Sequence, residues 1–155
     1  MGKLLPQKWR LWSLTVFSLY QTVYDEIRDA LETHIPECGG VLGASPSQPI
    51  SKFYFDITGK STADSYTPDS LTINNILDQW AEENVFMVGI VHSHAEGGDF
   101  PSCGDLMYCE SIMKAANYDK FYLPIVTLSP FKITPYIVGI CNGKMSVKKE
   151  SVIIV

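Results

Sequence analysis

The stretch VHSHAEGGDFPSCGD, residues 91–105, decides how this chain is read. It follows a nearly continuous apolar run, so residues 85–94 (VFMVGIVHSH) read as a central strand covered on both faces. Side chains two apart on a strand project from one face, so His92 and His94 can aim their rings at a single point. Imidazole is a common zinc ligand, and a tetrahedral ion needs more than two donors. Asp105 can be the third, because it stands three residues after Ser102 at the start of an amphipathic segment. Ser102-Cys103-Gly104-Asp105 also reads as a weak capping box, a Ser N-cap with an acid at the third helical position. The two readings are compatible, since a capped helix is a rigid platform for a ligand.

Working outward, residues 14–18 (LTVFS) predict a short strand ending at Ser18 as N-cap. Residues 19–34 carry apolar side chains at Leu19, Val23, Ile27, Ala30 and Leu31, the spacing of a helix, and Pro36 closes the segment. ECGGVLGAS at 37–45 predicts a buried strand whose glycines permit close backbone approach, and KFYFDITG at 52–59 a second strand. KSTADSYTPDS at 60–70 is polar and turn-rich and predicts a loop, leading into an amphipathic helix over 71–84. A third helix is expected over 102–118, then strands at 121–129, 133–141 and 150–155. The order β-α-β-β-α-β-α-β-β-β predicts one domain over residues 1–155, an α/β sandwich with a mixed sheet.

Composition narrows the function. The chain has 155 residues, 46% hydrophobic and 19% charged, which suits a packed core. Its formal net charge of -5 gives no basic surface for tracking nucleic acid, and the short KMSVKK run at 144–149 reads as a solvated strand or turn. No apolar run is long enough to span a membrane. Lys8 and Arg10 interrupt the apolar N-terminal region, so a signal peptide is not expected, and a cytoplasmic location follows as the default. The four cysteines, Cys38, Cys103, Cys109 and Cys141, contain no CxxC pair and read as reduced thiols.

A hydrolytic zinc site also needs a general base, and a carboxylate is the usual choice. Several acids are available. Glu37 is the best placed by context, since it opens a Gly-rich, buried strand where a charge has no packing purpose.

Together, Glu37 and the pattern His92-Ser-His94-x7-Ser102-x-x-Asp105 resemble the JAMM motif of the MPN+ zinc metalloproteases. The flanks PECGGVLGA, VGIVHSH and PSCGD resemble that family's corresponding segments, and the resemblance extends from about Leu14 to Val155. It implies the MPN fold, a cytidine deaminase-like three-layer sandwich with a mixed β-sheet flanked by helices. It implies one zinc ion per chain on His92, His94 and Asp105, with water in the fourth position. Glu37 would then activate the water, and Ser102 would hydrogen-bond the oxyanion. The implied reaction is that of a JAB-type, deubiquitinase-like isopeptidase, hydrolysing the bond after the C-terminal glycine of a ubiquitin-like modifier. The implied partners are that modifier or its conjugate, with activating and conjugating enzymes of the same pathway. The substrate tail is expected to lie extended beside a strand edge, with the 61–71 loop (STADSYTPDSL) as a candidate wall of its groove.

This sequence departs from the family's pattern at Ala95, where many relatives have proline, and the loop adds Glu96, Gly97-Gly98 and Asp99. The two acids bring negative charge toward the metal or are solvated loop residues. The alternative function is a non-catalytic MPN-type scaffold, whose members usually lack one or more ligands. A nucleobase deaminase would require His-x-Glu with a downstream Pro-Cys-x-x-Cys, and His94, Ser102 and Asp105 stand where that motif needs Glu and two Cys.

Overall fold

A computed structural model describes residues 15–34, 37–62, 65–95 and 98–155. The segment holding Pro36, the expected strand start at Leu14, and Glu96 and Gly97 of the loop lie outside these residues.

The longest strand, β6 (Phe86–His94), runs through the middle of the molecule and is buried along most of its length. On one side it pairs antiparallel with β2 (Gly39–Ala44), which in turn pairs antiparallel with β3 (Ile50–Phe55). Beyond β3 lie β1 (Phe17–Leu19) and then β12 (Val152–Ile154), both joined by parallel ladders. On its other side β6 meets two strands in succession. Gly89 pairs with Tyr122 of β7 (Lys120–Tyr122), whereas His92, Ser93 and His94 pair with Ile125, Val126 and Thr127 of β8 (Ile125–Thr127). β9 (Lys132–Thr134) extends β8, while β10 (Tyr136–Cys141) and β11 (Lys144–Lys149) extend β7 to the far edge. The sheet is mixed and flanked by helices, the α/β sandwich expected from the sequence.

Three helices cover the sheet among the described residues. Helix α1 (Gln21–Thr33) buries Val23, Ile27 and Leu31, and α2 (Ser70–Glu82) buries Ile73, Leu77 and Trp80. Helix α3 (Cys103–Ala116) buries Cys109, Met113 and Ala116. Each triplet has the spacing of one helix face, and those faces close the core with Phe17, Leu42, Val91 and Phe121.

Four local expectations are corrected. Ser18 is not a cap: it pairs with Ile153 inside β1, so α1 starts two residues later with Tyr20 as N-cap. The strand expected at 121–129 is two, divided at Pro124, and the one at 133–141 is divided at Pro135. Proline has no N–H for a ladder, and at both places the chain changes strand partners. The expected loop at 60–70 contains a small antiparallel pair, β4 (Lys60–Ser61) and β5 (Tyr66–Thr67). The basic run at 144–149 is the exposed edge strand β11, in line with its reading as a solvated strand.

The glycines of β2 are sites of close approach. A Cβ on Gly39 would collide with the carbonyl oxygen of Val91 and crowd the Cβ of His92, and one on Gly40 would meet the Tyr54 carbonyl. The β2–β6 pairing at the end carrying the histidines therefore depends on a bare backbone.

Candidate metal centre

His92 and His94 leave the C-terminal end of β6 on the same face, and α3 brings Asp105 against both rings. His92 Nε2 stands 3.1 Å from Asp105 Oδ1, and His94 Nε2 stands 3.1 Å from Asp105 Oδ2. The two Nε2 atoms are themselves 3.1 Å apart. Ligand atoms about 2.0–2.1 Å from a tetrahedral zinc stand roughly 3.3 Å from one another, so these donors approximate one face of such a tetrahedron.

The chemistry of the donor set fits a cation. His94 Nδ1 lies 3.2 Å from the Gly98 carbonyl oxygen, which can only accept. A ring that donates Nδ1–H there keeps, when neutral, a lone pair on Nε2, directed toward the carboxylate and the other imidazole. Converging lone pairs repel unless a proton or a metal ion lies between them. A proton can play that part at these groups. The hydrogen bond with Asp105 raises the His94 pKa against the opposing effect of burial, helped by the Gly98 carbonyl and the charges of Asp105 and Glu37. Burial works against ionisation of Asp105, but hydrogen bonds from His92 and His94 outweigh it and hold the carboxyl far below the usual range.

Asp105 has a second task. Its Oδ2 accepts the Ser102 N–H at 2.8 Å, and Ser102 Oγ accepts the Asp105 N–H at 3.0 Å, a complete capping box. The hydroxyl proton of Ser102 is not consumed by this arrangement, because Oγ is only an acceptor in it.

Glu37 precedes β2 and is half-buried. It faces a cleft of about 860 Å³ that also receives His92, His94, Ser102 and Asp105. Its backbone N–H donates to Thr62 O at 2.9 Å. The next residue is stapled to β6: Ser93 N–H donates to Cys38 O at 2.9 Å, and Cys38 N–H to Ser93 Oγ at 3.2 Å. Ser93 is fully buried, and Gly39 pairs with His92, so strand register places Glu37 beside the histidines. Sequence reasoning missed the part played by Ser93. Its signal was available: a residue between two same-face side chains must point to the opposite face.

The described part of the 61–71 loop from Ser65 onward supplies a cleft wall through Ser65, Tyr66, Thr67 and Ser70. It is anchored by Asp56, a buried carboxylate that accepts Tyr66 O–H at 2.7 Å and Asp69 N–H at 2.9 Å through Oδ2. The anchoring by Asp56 was not read from the sequence, where Asp56 lay within the strand expected at 52–59. Asp99 is also unlike either expectation for it. It is neither free in solvent nor part of the donor set, but bonded to Thr134 and Lys132 on β9. The remaining histidine, His34, is remote in function as well: it caps Ala30 O and packs against Phe55. All four cysteines are unpaired; Cys38 and Cys109 are buried, Cys103 and Cys141 exposed.

A helix-flanked mixed sheet, with two histidines on a strand end and an aspartate on a facing helix start, defines an α/β domain with a candidate mononuclear metal centre. A family model described as prokaryotic homologs of the JAB domain matches residues 21–145, and the chain belongs to that family. The solution structure of protein DSY2949 from Desulfitobacterium hafniense is similar in fold, with a TM-score of 0.63 and 16% sequence identity. The similarity covers 89% of this chain and 92% of that one. No curated protein matches the sequence. Among the described residues no helix is long and apolar enough to cross a membrane.

Proposed function

We propose that this chain is a zinc-dependent isopeptidase or peptidase that hydrolyses the bond after the C-terminal glycine of a ubiquitin-like modifier. The observation that carries the reading is the convergence of His92, His94 and Asp105, with Glu37 and Ser102 facing the same cleft. His92, His94 and Asp105 are the residues that hold the ion. A zinc ion bound by them would supply Lewis acidity and lower the pKa of water toward neutrality.

The rest is work for the chain's own groups. Glu37 is the general base, taking a proton from the attacking water and returning it to the leaving amine. Ser102 donates its free hydroxyl proton to the oxygen that becomes negative at the carbonyl under attack. Its oxygen is held by the Asp105 N–H, so the donor is pre-oriented before substrate arrives. The wall bearing Tyr66 and Thr67 offers an extended modifier tail a surface beside the strand ends.

The reading is tested by metal analysis of the purified protein, together with cleavage of a ubiquitin-like fusion. Wild type is expected to carry one zinc per chain and to cleave. Glu37→Gln is expected to keep zinc and lose turnover, because the amide cannot accept the water's proton. Undiminished cleavage by Glu37→Gln would remove Glu37 from the reaction, and absence of stoichiometric zinc from wild type would sink the enzymatic reading.

A further inference from the structure

The loop between β6 and α3 contributes more than a connection. The Gly98 carbonyl that faces His94 Nδ1 belongs to the peptide linking Gly98 to Asp99. Asp99 is tied down through both its side chain and its main chain. Its Oδ2 accepts Thr134 Oγ1–H at 3.0 Å and lies 3.3 Å from Lys132 Nζ and 3.9 Å from Lys149 Nζ. Its backbone oxygen accepts Tyr136 O–H at 2.8 Å. Thr134 and Tyr136 are both buried, at 1% and 3% exposure, so they are fixed points rather than mobile surface groups.

These anchors form a closed circuit. His94 pairs with Thr127 on β8, Thr127 pairs with Lys132 on β9, and β9 and the start of β10 hold Asp99. Asp99 in turn fixes the peptide whose carbonyl faces the His94 ring. The two lysine contacts are exposed and contribute little individually. The hydroxyls of Thr134 and Tyr136 carry the positional information, since each fixes one oxygen of Asp99 at hydrogen-bond distance.

We propose that Asp99 is a positioning residue for the metal centre: tethered by Thr134 and Tyr136, it holds the Gly98 carbonyl on His94 Nδ1 and so aims Nε2 at the ion. The inference rests on the reading of His94 as a metal ligand. A carbonyl that accepts from the non-ligating nitrogen sets both the tautomer and the plane of a metal-binding imidazole. The same bond holds the ring in place before an ion arrives, so the arrangement has a signature that needs no metal.

The experiment uses the full chain as wild type, Asp99→Ala, Asp99→Asn, Thr134→Val and Tyr136→Phe. Solvent exchange of the His94 Nδ1–H, the proton that faces the Gly98 carbonyl, is followed by nuclear magnetic resonance in zinc-free protein. Zinc affinity is measured separately by chelator competition, with thermal unfolding of the zinc-free forms as a control on folding. The ring proton should exchange slowly in wild type. It should exchange at least about tenfold faster in Asp99→Ala and Tyr136→Phe, with zinc affinity reduced about tenfold to a hundredfold. Asp99→Asn, which can still accept from Thr134, should restore most of the protection. Tyr136→Phe deletes one hydroxyl, and it decides the matter if Asp99→Ala does not fold. Unchanged ring-proton exchange in the folded variants overturns the proposal, as does faster exchange with unaltered zinc affinity. A wild type that binds no zinc overturns the isopeptidase reading instead, and the ring-proton measurement still decides whether Asp99 holds His94.

Discussion

The two walls of the cleft are built by different means. One wall carries His92, His94 and Asp105, all within a short length of chain, on the end of a buried strand and the first turn of a capped helix. The other carries Glu37 and Tyr66, brought there from far upstream by sheet register, a serine staple and a buried carboxylate. The first wall is organised locally and electrostatically, through donors that attract protons or a cation. The second is organised by tertiary packing, and its parts are not among the proposed metal donors. Damage to the first should therefore appear in metal affinity, and damage to the second in turnover at constant metal content.

The largest effect is expected from Asp105→Ala, which removes one donor and half of the capping box together. Stoichiometric zinc should be lost and turnover with it, as read by metal analysis of protein purified without chelator. Retained zinc would show that His92 and His94 recruit their third ligand elsewhere, and the first wall would no longer be a unit.

Next comes Ser102, which belongs to both structure and proposed chemistry. Ser102→Ala should lower the maximal rate by about a hundredfold or more, as for loss of an oxyanion donor. It should also cost about 1 kcal/mol of stability through the lost cap. Ser102→Gly separates the two roles, because glycine at an N-cap costs only a few tenths of a kcal/mol. A rate loss in Ser102→Gly as large as in Ser102→Ala assigns the hydroxyl to the reaction; full activity in Ser102→Gly leaves it only the cap.

Tyr66→Phe probes the second wall alone. It takes a hydroxyl donor from buried Asp56, at a cost of about 1.5–3 kcal/mol for a hydrogen bond to a charged group. Thermal unfolding should show that loss, kcat should fall by a smaller factor than in the Ser102 variants, and zinc affinity should stay within about twofold. A fall in zinc affinity equal to that in kcat would mean that the walls are coupled rather than separate.

The smallest effect is a pH dependence in the zinc-free protein. The folded pKa of His94 is raised, so its contribution to stability is present below the unfolded value near pH 6.5 and is lost as pH rises through the folded one. The folded pKa of Asp105 is lowered, so its contribution is present above the unfolded value of about 3.9 and is lost as pH falls toward the folded one. Zinc-free protein should thus be most stable in mildly acid solution, while zinc affinity climbs with pH as protons leave the histidines. Unfolding temperatures measured with and without zinc across about pH 5–9 should diverge toward the alkaline side. Parallel curves would contradict the shared-proton view of the donor set.

The contrast between the walls also explains what was legible in the sequence. His92 and His94 were readable because strand periodicity alone fixes their common face, and Asp105 because a cap signal marks the helix start beside them. The placement of Glu37 came from context, since no local rule links residue 37 to residue 92; the link is the Gly39–His92 register across the sheet. The strand breaks at Pro124 and Pro135 followed from the missing N–H of proline, yet the apolar runs on either side hid them. Asp56 and Asp99 were opaque for a different reason. Each makes its contacts to side chains and amides distant in sequence or across a turn, and an isolated Asp carries no periodic signal.

One oxygen of Asp105 has a consequence for how the molecule breathes. Oδ2 accepts the Ser102 N–H and also faces His94 Nε2, so the first turn of α3 and the proposed metal centre draw on the same carboxylate. If an ion binds there, linkage works in both directions: the ion would tighten the helix start, and a frayed helix start would weaken the grip on the ion. Chelation should accordingly speed amide exchange at residues 102–106 before it touches the middle of β6, making that turn a local clasp with an opening free energy of its own.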